Sequence, residues 1–271
     1  MTIAACLKCV DGRPEVDPLT GEEHHDARTS GPSPADRAAL EWALRLAEER
    51  HTEVIAISAG PALADTMLRD AVAAGAARAI RVELPDGAPS EAVAAALADA
   101  LPADVDLVVC GDWSTDRGSG AVPAYLAARR GAAQALGLVT LADDGIVIGA
   151  ERRLDGGRRE RLRVTAPAVL SVEGASARLR RAPLAAVLRA RQAVVDVSLA
   201  PPVVVPVPKR TGPYRPRARV LPPPTGADAR ERILALSGAL VDREPPQLLV
   251  LEPAEAADRL LDQLRKWGYL A

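Results

Sequence analysis

Four short apolar runs govern what the first 111 residues can fold into: TIAACLKCV (2–10), EVIAIS (53–58), AIRVEL (79–84) and VDLVVCG (105–111). They are apolar at nearly every position, which suits strands covered on both faces. Between them lie segments of helical period: PADRAALEWALRLAEER (34–50), ALADTMLRDAVAAG (62–75) and PSEAVAAALADAL (89–101). Each opens near Pro or Ser and the second closes on Gly75, as helix start and stop signals do. A further helix is expected from about Gly120 to Arg130. Strand alternating with helix predicts a parallel sheet built from right-handed crossovers.

The pattern changes after Gly137. LVTLAD, IVIGAERRL, RLRVTA and AVLSVE read as strands, with hairpin turns at DDG (143–145) and DGG (155–157). This part is expected to extend the sheet antiparallel. A short helix, PLAAVLRAR (183–191), then leads to a strand, AVVDVSL. Residues 200–225 are rich in Pro and Arg and read as an extended arm or linker. A helix (227–240), an apolar run QLLVLE (247–252) and an amphipathic helix (253–269) complete the chain. The expected fold is α/β: a mostly parallel sheet flanked by helices, extended by antiparallel hairpins, with a Pro-rich C-terminal arm and a terminal helix. The expected domain boundary separates 1–198 from 199–271.

Composition excludes several classes. With 48% hydrophobic and 26% charged residues the chain is globular. A net charge of −2 and 2% aromatics, none of them Phe, argue against a nucleic-acid surface. The most apolar stretch, VSLAPPVVVPVPK, is broken by four prolines, so no membrane span is expected. No basic segment precedes Thr2 and only three cysteines occur, so the expected location is the cytoplasm.

Parallel sheets bind ligands at the carboxyl ends of their strands. Here those ends are Cys6 to Val10, Ser58 to Pro61, the turn before Pro34, and CGDWSTDRGSGAVPAYLA (110–127). Gly118, Ser119 and Gly120 precede a helix, where backbone amides cradle an anion. Pro123 occupies the third glycine position of a dinucleotide fingerprint, so that motif fits poorly, and the turn alone fits an ordinary loop equally well. Cys6 and Cys9 lie three apart and on a continuous strand face opposite ways, so they chelate one metal only if the strand breaks between them. No second CxxC is present, and His24 and His25 lie in a charged loop. Cys6 and Cys110 are therefore expected to be small residues packed near a ligand. With no Walker motif, nucleophile elbow or partner for His51, no catalytic residue and no metal site is expected.

The stretch AERRLDGGRRERLRVTAPAVLSV (150–172) resembles the signature of the electron-transfer flavoprotein beta-subunit family. Ala150, Arg152, Asp155-Gly156-Gly157, Glu160, Leu162, Pro167, Val169, Leu170 and Ser171 each meet a defined position of that pattern. CLKCV, SPADRAALEWALRL (33–46), VIAISAGP (54–61), AVAAGAARAIRV (71–82) and GDWSTDRGSGAVPAYLA are similar to further family blocks in the same order, so the resemblance covers roughly residues 1 to 198. The Ala- and Arg-rich composition also resembles high-GC actinobacterial members, some of them associated with mycofactocin systems.

The resemblance implies an electron carrier without catalytic residues of its own. It implies an alpha-subunit partner holding most of an FAD site, and a second adenine-nucleotide site for AMP or a second FAD in the beta subunit. A dehydrogenase would donate electrons and a quinone reductase accept them. Carried over by position, the nucleotide-lining residues are Cys6, Ser33, Ala59, Asp116, Ser119, Gly120, Ala121 and Val122. The family's partner-docking leucine maps to Leu184, beside Arg180, Arg181, Arg189 and Arg191. A solvated basic helix with Leu184 packed inward fits the same residues. The chain departs from the family at Asp112-Trp113 (usually Lys-Gln), Ala121 (Gln), Ser33 (Asn) and Ala35 (an aromatic), and GASARLRRA replaces the usual Asn-Glu-Pro-Arg-Tyr stretch. The alternative function is a stand-alone adenine-nucleotide-binding regulator of the stress-protein kind.

Overall fold

The structure is a computed structural model that describes residues 2–206, 223–224, 226–237 and 248–270. The chain divides into two compact units, Met1–Tyr214 and Arg215–Ala271.

In the first unit the strands are β1 (Thr2–Cys6), β2 (Cys9–Asp11), β3 (Glu15–Val16), β4 (Glu23–His24), β5 (Ser30–Pro32), β6 (Val54–Gly60), β7 (Arg78–Glu83), β8 (Val105–Gly111), β9 (Ala133–Asp143), β10 (Ile148–Arg153), β11 (Arg159–Val164), β12 (Ala168–Val172) and β13 (Asp196–Leu199). Its helices are α1 (Pro34–Glu49), α2 (Ala64–Ala74), α3 (Ser90–Ala100), α4 (Val122–Arg130) and α5 (Leu184–Ala190). Nine strands form one sheet in the order β11-β10-β9-β12-β8-β1-β6-β7-β13. From β9 through to β13 every neighbour is parallel, while β10 and β11 add an antiparallel edge.

Alternate strand residues feed two cores. Ile3, Ala5, Val54 and Ala56 pack with α1 and α2, whereas Ala4, Cys6, Ile55 and Ile57 pack with α3 and α4. With no Phe in the chain, close approach comes from alanines. Ala38, Ala39, Ala43 and Ala47 give α1 a small-residue face against β1 and β8. Such interiors gain from many short dispersion contacts over little side-chain volume.

Three details differ from the sequence expectation. The run 2–10 breaks after Cys6, and β2 leaves the main sheet to pair antiparallel with β5. The β12 strand lies between β8 and β9, parallel to both, where an antiparallel extension was expected. All five of its residues are buried, and a run buried at every position carries no mark of its direction. Lastly, β9 begins at Ala133, before Gly137. Gly137 (φ +69°) donates its N–H to Ser171 Oγ at 3.0 Å, near the point where β9 passes from pairing with β12 to pairing with β10.

The second unit holds α6 (Ala229–Ser237) and α7 (Pro253–Lys266), with no strand at 248–252. The last three residues of the expected helix 227–240 and most of the Pro-rich arm, 207–222, lie outside the described residues. Among the described residues no helix is long and apolar enough to cross a membrane.

Candidate functional site

A cavity of about 860 Å³ opens at the carboxyl ends of β1, β6, β7 and β8. The chain builds outward from β1 through β6 to β7, then returns to place β8 on the other side of β1. A crevice above such a reversal is where open α/β sheets bind ligands, and this volume suits a ligand larger than a single small metabolite.

One wall is the turn before α4. No side chain of Ala121 caps the helix, and within the turn the Ala121 N–H reaches Ser119 Oγ only at 3.5 Å, so amides at this helix start can serve an external acceptor. Gly120 has φ +59°, and a Cβ there would lie 2.6 Å from the Asp112 carbonyl oxygen. Only glycine lets the backbone approach so closely.

The expected nucleotide residues largely converge. Cys6, Ala59, Asp116, Ser119, Gly120, Ala121 and Val122 all line this cavity. Ser33 does not. It is buried at the start of α1 and lines a neighbouring cavity of about 290 Å³ with Ala35, Asp112, Trp113 and Glu173. There it forms a capping box with Asp36: the Asp36 N–H donates to Ser33 Oγ at 3.1 Å and the Ser33 N–H to Asp36 Oδ2 at 3.2 Å.

Electrostatics organise the rim. Lys8, just past β1, forms an ion pair with Asp116. Burial pushes the Asp116 carboxyl up, but the Lys8 and Ser114 side chains and the Arg117 N–H outweigh it and hold it at about 2. Asp36 behaves oppositely. Burial raises it to about 6 despite hydrogen bonds from Ser33 and the Lys8 N–H. Burial also raises Asp112, whose Oδ1 is buried without a hydrogen-bond partner. The Arg117 guanidinium donates to Ala88 O at 2.9 Å and Gly87 O at 2.8 Å, bracing the turn against the loop after β7.

Lys8, Asp36 and Arg117 were not singled out from sequence. The available signal for Lys8 was a lone charge inside the otherwise apolar run 2–10. Arg117 acquires its place only when β7 and β8 bring their loops together. The break after Cys6 also removes the argument that strand alternation separates Cys6 from Cys9. Among the described residues no group of three or more His, Cys, Asp or Glu side chains is arranged to hold a metal.

Leu184 begins α5 with 73% of its surface exposed, and Arg181 and Arg189 are exposed near it. Leu184 therefore does not pack inward. Arg180 is committed elsewhere, to Glu41 and Glu48 of α1, which pins this segment to the body.

A model of the electron transfer flavoprotein domain matches residues 24–202. The human electron transfer flavoprotein subunit beta is 33% identical over 174 residues, covering 61% of this chain and 67% of that protein. The subunit of the same name from Thermoanaerobacterium thermosaccharolyticum is 32% identical over 178 residues, 63% of this chain and 67% of its own. Protein FixA of Azorhizobium caulinodans is 30% identical over 210 residues, covering 73% and 74%. Family match, relatives and sheet agree over the first unit, and the chain belongs to the electron transfer flavoprotein family, in its beta-subunit branch.

Proposed function

We propose that this chain pairs with an electron-transfer-flavoprotein alpha subunit and helps hold FAD that carries electrons from a dehydrogenase to a quinone reductase. The observation that carries this reading is the cavity at the strand reversal, with its uncapped α4 start and the close approach at Gly120. These features fit an adenine nucleotide. The amides of Ser119 to Val122 would hold phosphate, while Cys6 and Ala59 at the ends of β1 and β6 would line the remainder of the site. In the adjacent 290 Å³ cavity Ala35 leaves open space, and Ser33, Asp112 and Trp113 would border the flavin. FAD, when bound, supplies the one- and two-electron chemistry. The residues of this chain bind, orient and exclude water. AMP or a second FAD would occupy the larger cavity.

Leu184, with Arg181 and Arg189, would form the docking surface for the dehydrogenase, an apolar anchor with a charged rim. The Pro-rich arm and the second unit, from about residue 199 onward, would wrap the alpha subunit, since an extended arm loses little chain entropy on docking.

The test is co-expression of the full chain with an alpha-type chain from the same genome. The purified complex would be analysed by visible spectrum and by the nucleotides it releases on denaturation. A yellow heterodimer with bound adenine nucleotide is expected. A colourless homodimer that binds ATP and ignores the alpha chain would replace this reading with the stand-alone regulator.

A further inference from the structure

The larger cavity has two Lys or Arg side chains on its wall, Lys8 and Arg117, and they are not equivalent. Lys8 is neutralised by Asp116. Arg117 has no carboxylate within ion-pair distance among the described residues, and its guanidinium meets the neutral carbonyls of Gly87 and Ala88. Among the described residues its positive charge therefore has no counter-charge in contact. The remaining charged wall is acidic, including Asp11, Glu23, Asp86 and Asp112. The acidic side chains repel an added negative charge on a ligand, whereas Arg117 attracts it.

Arg117 directly precedes the turn that heads α4, and its reach to Gly87 and Ala88 ties that turn to the start of α3. There the Ser90 hydroxyl lies 3.4 Å from the Ser119 hydroxyl. Two donor-capable side chains and one guanidinium that meets only carbonyls among the described residues thus stand next to the amides proposed for the first phosphate. We infer that Arg117, with Ser90 and Ser119, makes the site selective for a nucleoside diphosphate group over a monophosphate. This rests on the nucleotide reading above and deepens it. A charge-assisted contact from a planar guanidinium suits a second phosphate, whereas an acidic wall without it would penalise each extra charge.

The experiment is calorimetric titration of the full-length chain with adenosine, AMP, ADP and FAD. ADP is expected to bind about tenfold tighter than AMP, consistent with one charge-assisted contact. Arg117→Ala should abolish or reverse that preference, read as the ADP-to-AMP affinity ratio within the variant, and Arg117→Lys should retain part of it. Ser90→Ala, which leaves the loop brace intact, should weaken ADP more than AMP. If AMP binds as tightly as ADP, or the ADP preference survives Arg117→Ala, the assignment of Arg117 is overturned and the nucleotide site stands. If none of the four ligands binds, the nucleotide reading itself fails. The FAD arm separates two sources of the diphosphate: binding tighter than ADP assigns a dinucleotide, and weaker binding assigns a free diphosphate.

Discussion

Cys6 and Cys110 are register partners on β1 and β8, the strands between which the sheet order reverses, and both are buried where they line the larger cavity. The neighbouring Cys6 thiol and burial push the Cys110 thiol well up, and burial, with Asp86 and Asp11 nearby, raises Cys9. The two cysteines that sequence spacing pairs, Cys6 and Cys9, are not the two that meet.

Thiol reactivity follows from this arrangement. In the folded chain at pH 8, Cys110 is expected to resist an aromatic disulfide reagent and half-buried Cys9 to react slowly, both faster as pH rises and the thiolate forms. All three should react at once in denaturant. Mass spectrometry of the labelled peptides checks this, and rapid labelling of Cys110 in the native protein would contradict it.

Asp36 sets a pH dependence of known sign. Its folded value of about 6 lies above the ordinary 3.8, so the folded state holds this proton more tightly than the unfolded chain. Stability from this group is full below the unfolded value and is lost as pH rises through about 6. Between pH 4 and pH 7 the loss is about 2–3 kcal/mol. Urea unfolding of the wild type and Asp36→Asn across that range should show the difference moving in the variant's favour by this amount. A constant difference would count against it.

Two glycines of one turn should respond differently. Gly118→Ala meets only a left-handed backbone, with nothing nearer than 3.7 Å to the new methyl, and should cost about 1 kcal/mol. Gly120→Ala adds the 2.6 Å clash with the Asp112 carbonyl and should cost about 2–4 kcal/mol. Denaturant midpoints of the two variants make the comparison directly.

Arg180→Ala releases the segment that carries Leu184. It removes the guanidinium from Glu41, whose side chain is 5% exposed, and from exposed Glu48. The expected loss at pH 7 is about 2 kcal/mol, because Glu41 keeps Arg45 and the residue-180 N–H. Burial raises Glu41, but its bonds to Arg180 and Arg45 outweigh it, and the Arg180 side chain lowers Glu48 as well. Stability from this cluster is therefore present above the ordinary glutamate value and lost as pH falls below it. Thermal unfolding at pH 7 and pH 3.5 should show the variant's deficit shrinking in acid.

The one-dimensional pattern was enough to locate β1, β6, β7 and β8 and the helices between them. Apolar runs, helical period and start–stop residues are local properties that hold whichever strands become neighbours. The turn at Gly118–Gly120 and the end of β1 were legible as site candidates for the same reason. Tertiary structure alone decided that β12 lies between β8 and β9, that the chain leaves the sheet after Cys6, and that Cys6 meets Cys110. It also joined Lys8 to Asp116, 108 residues apart, and Arg117 to the loop after β7. Each of these depends on strand order. Order follows from how the helices cover both faces of the sheet and from which edges remain to be paired, and no window of sequence contains that competition.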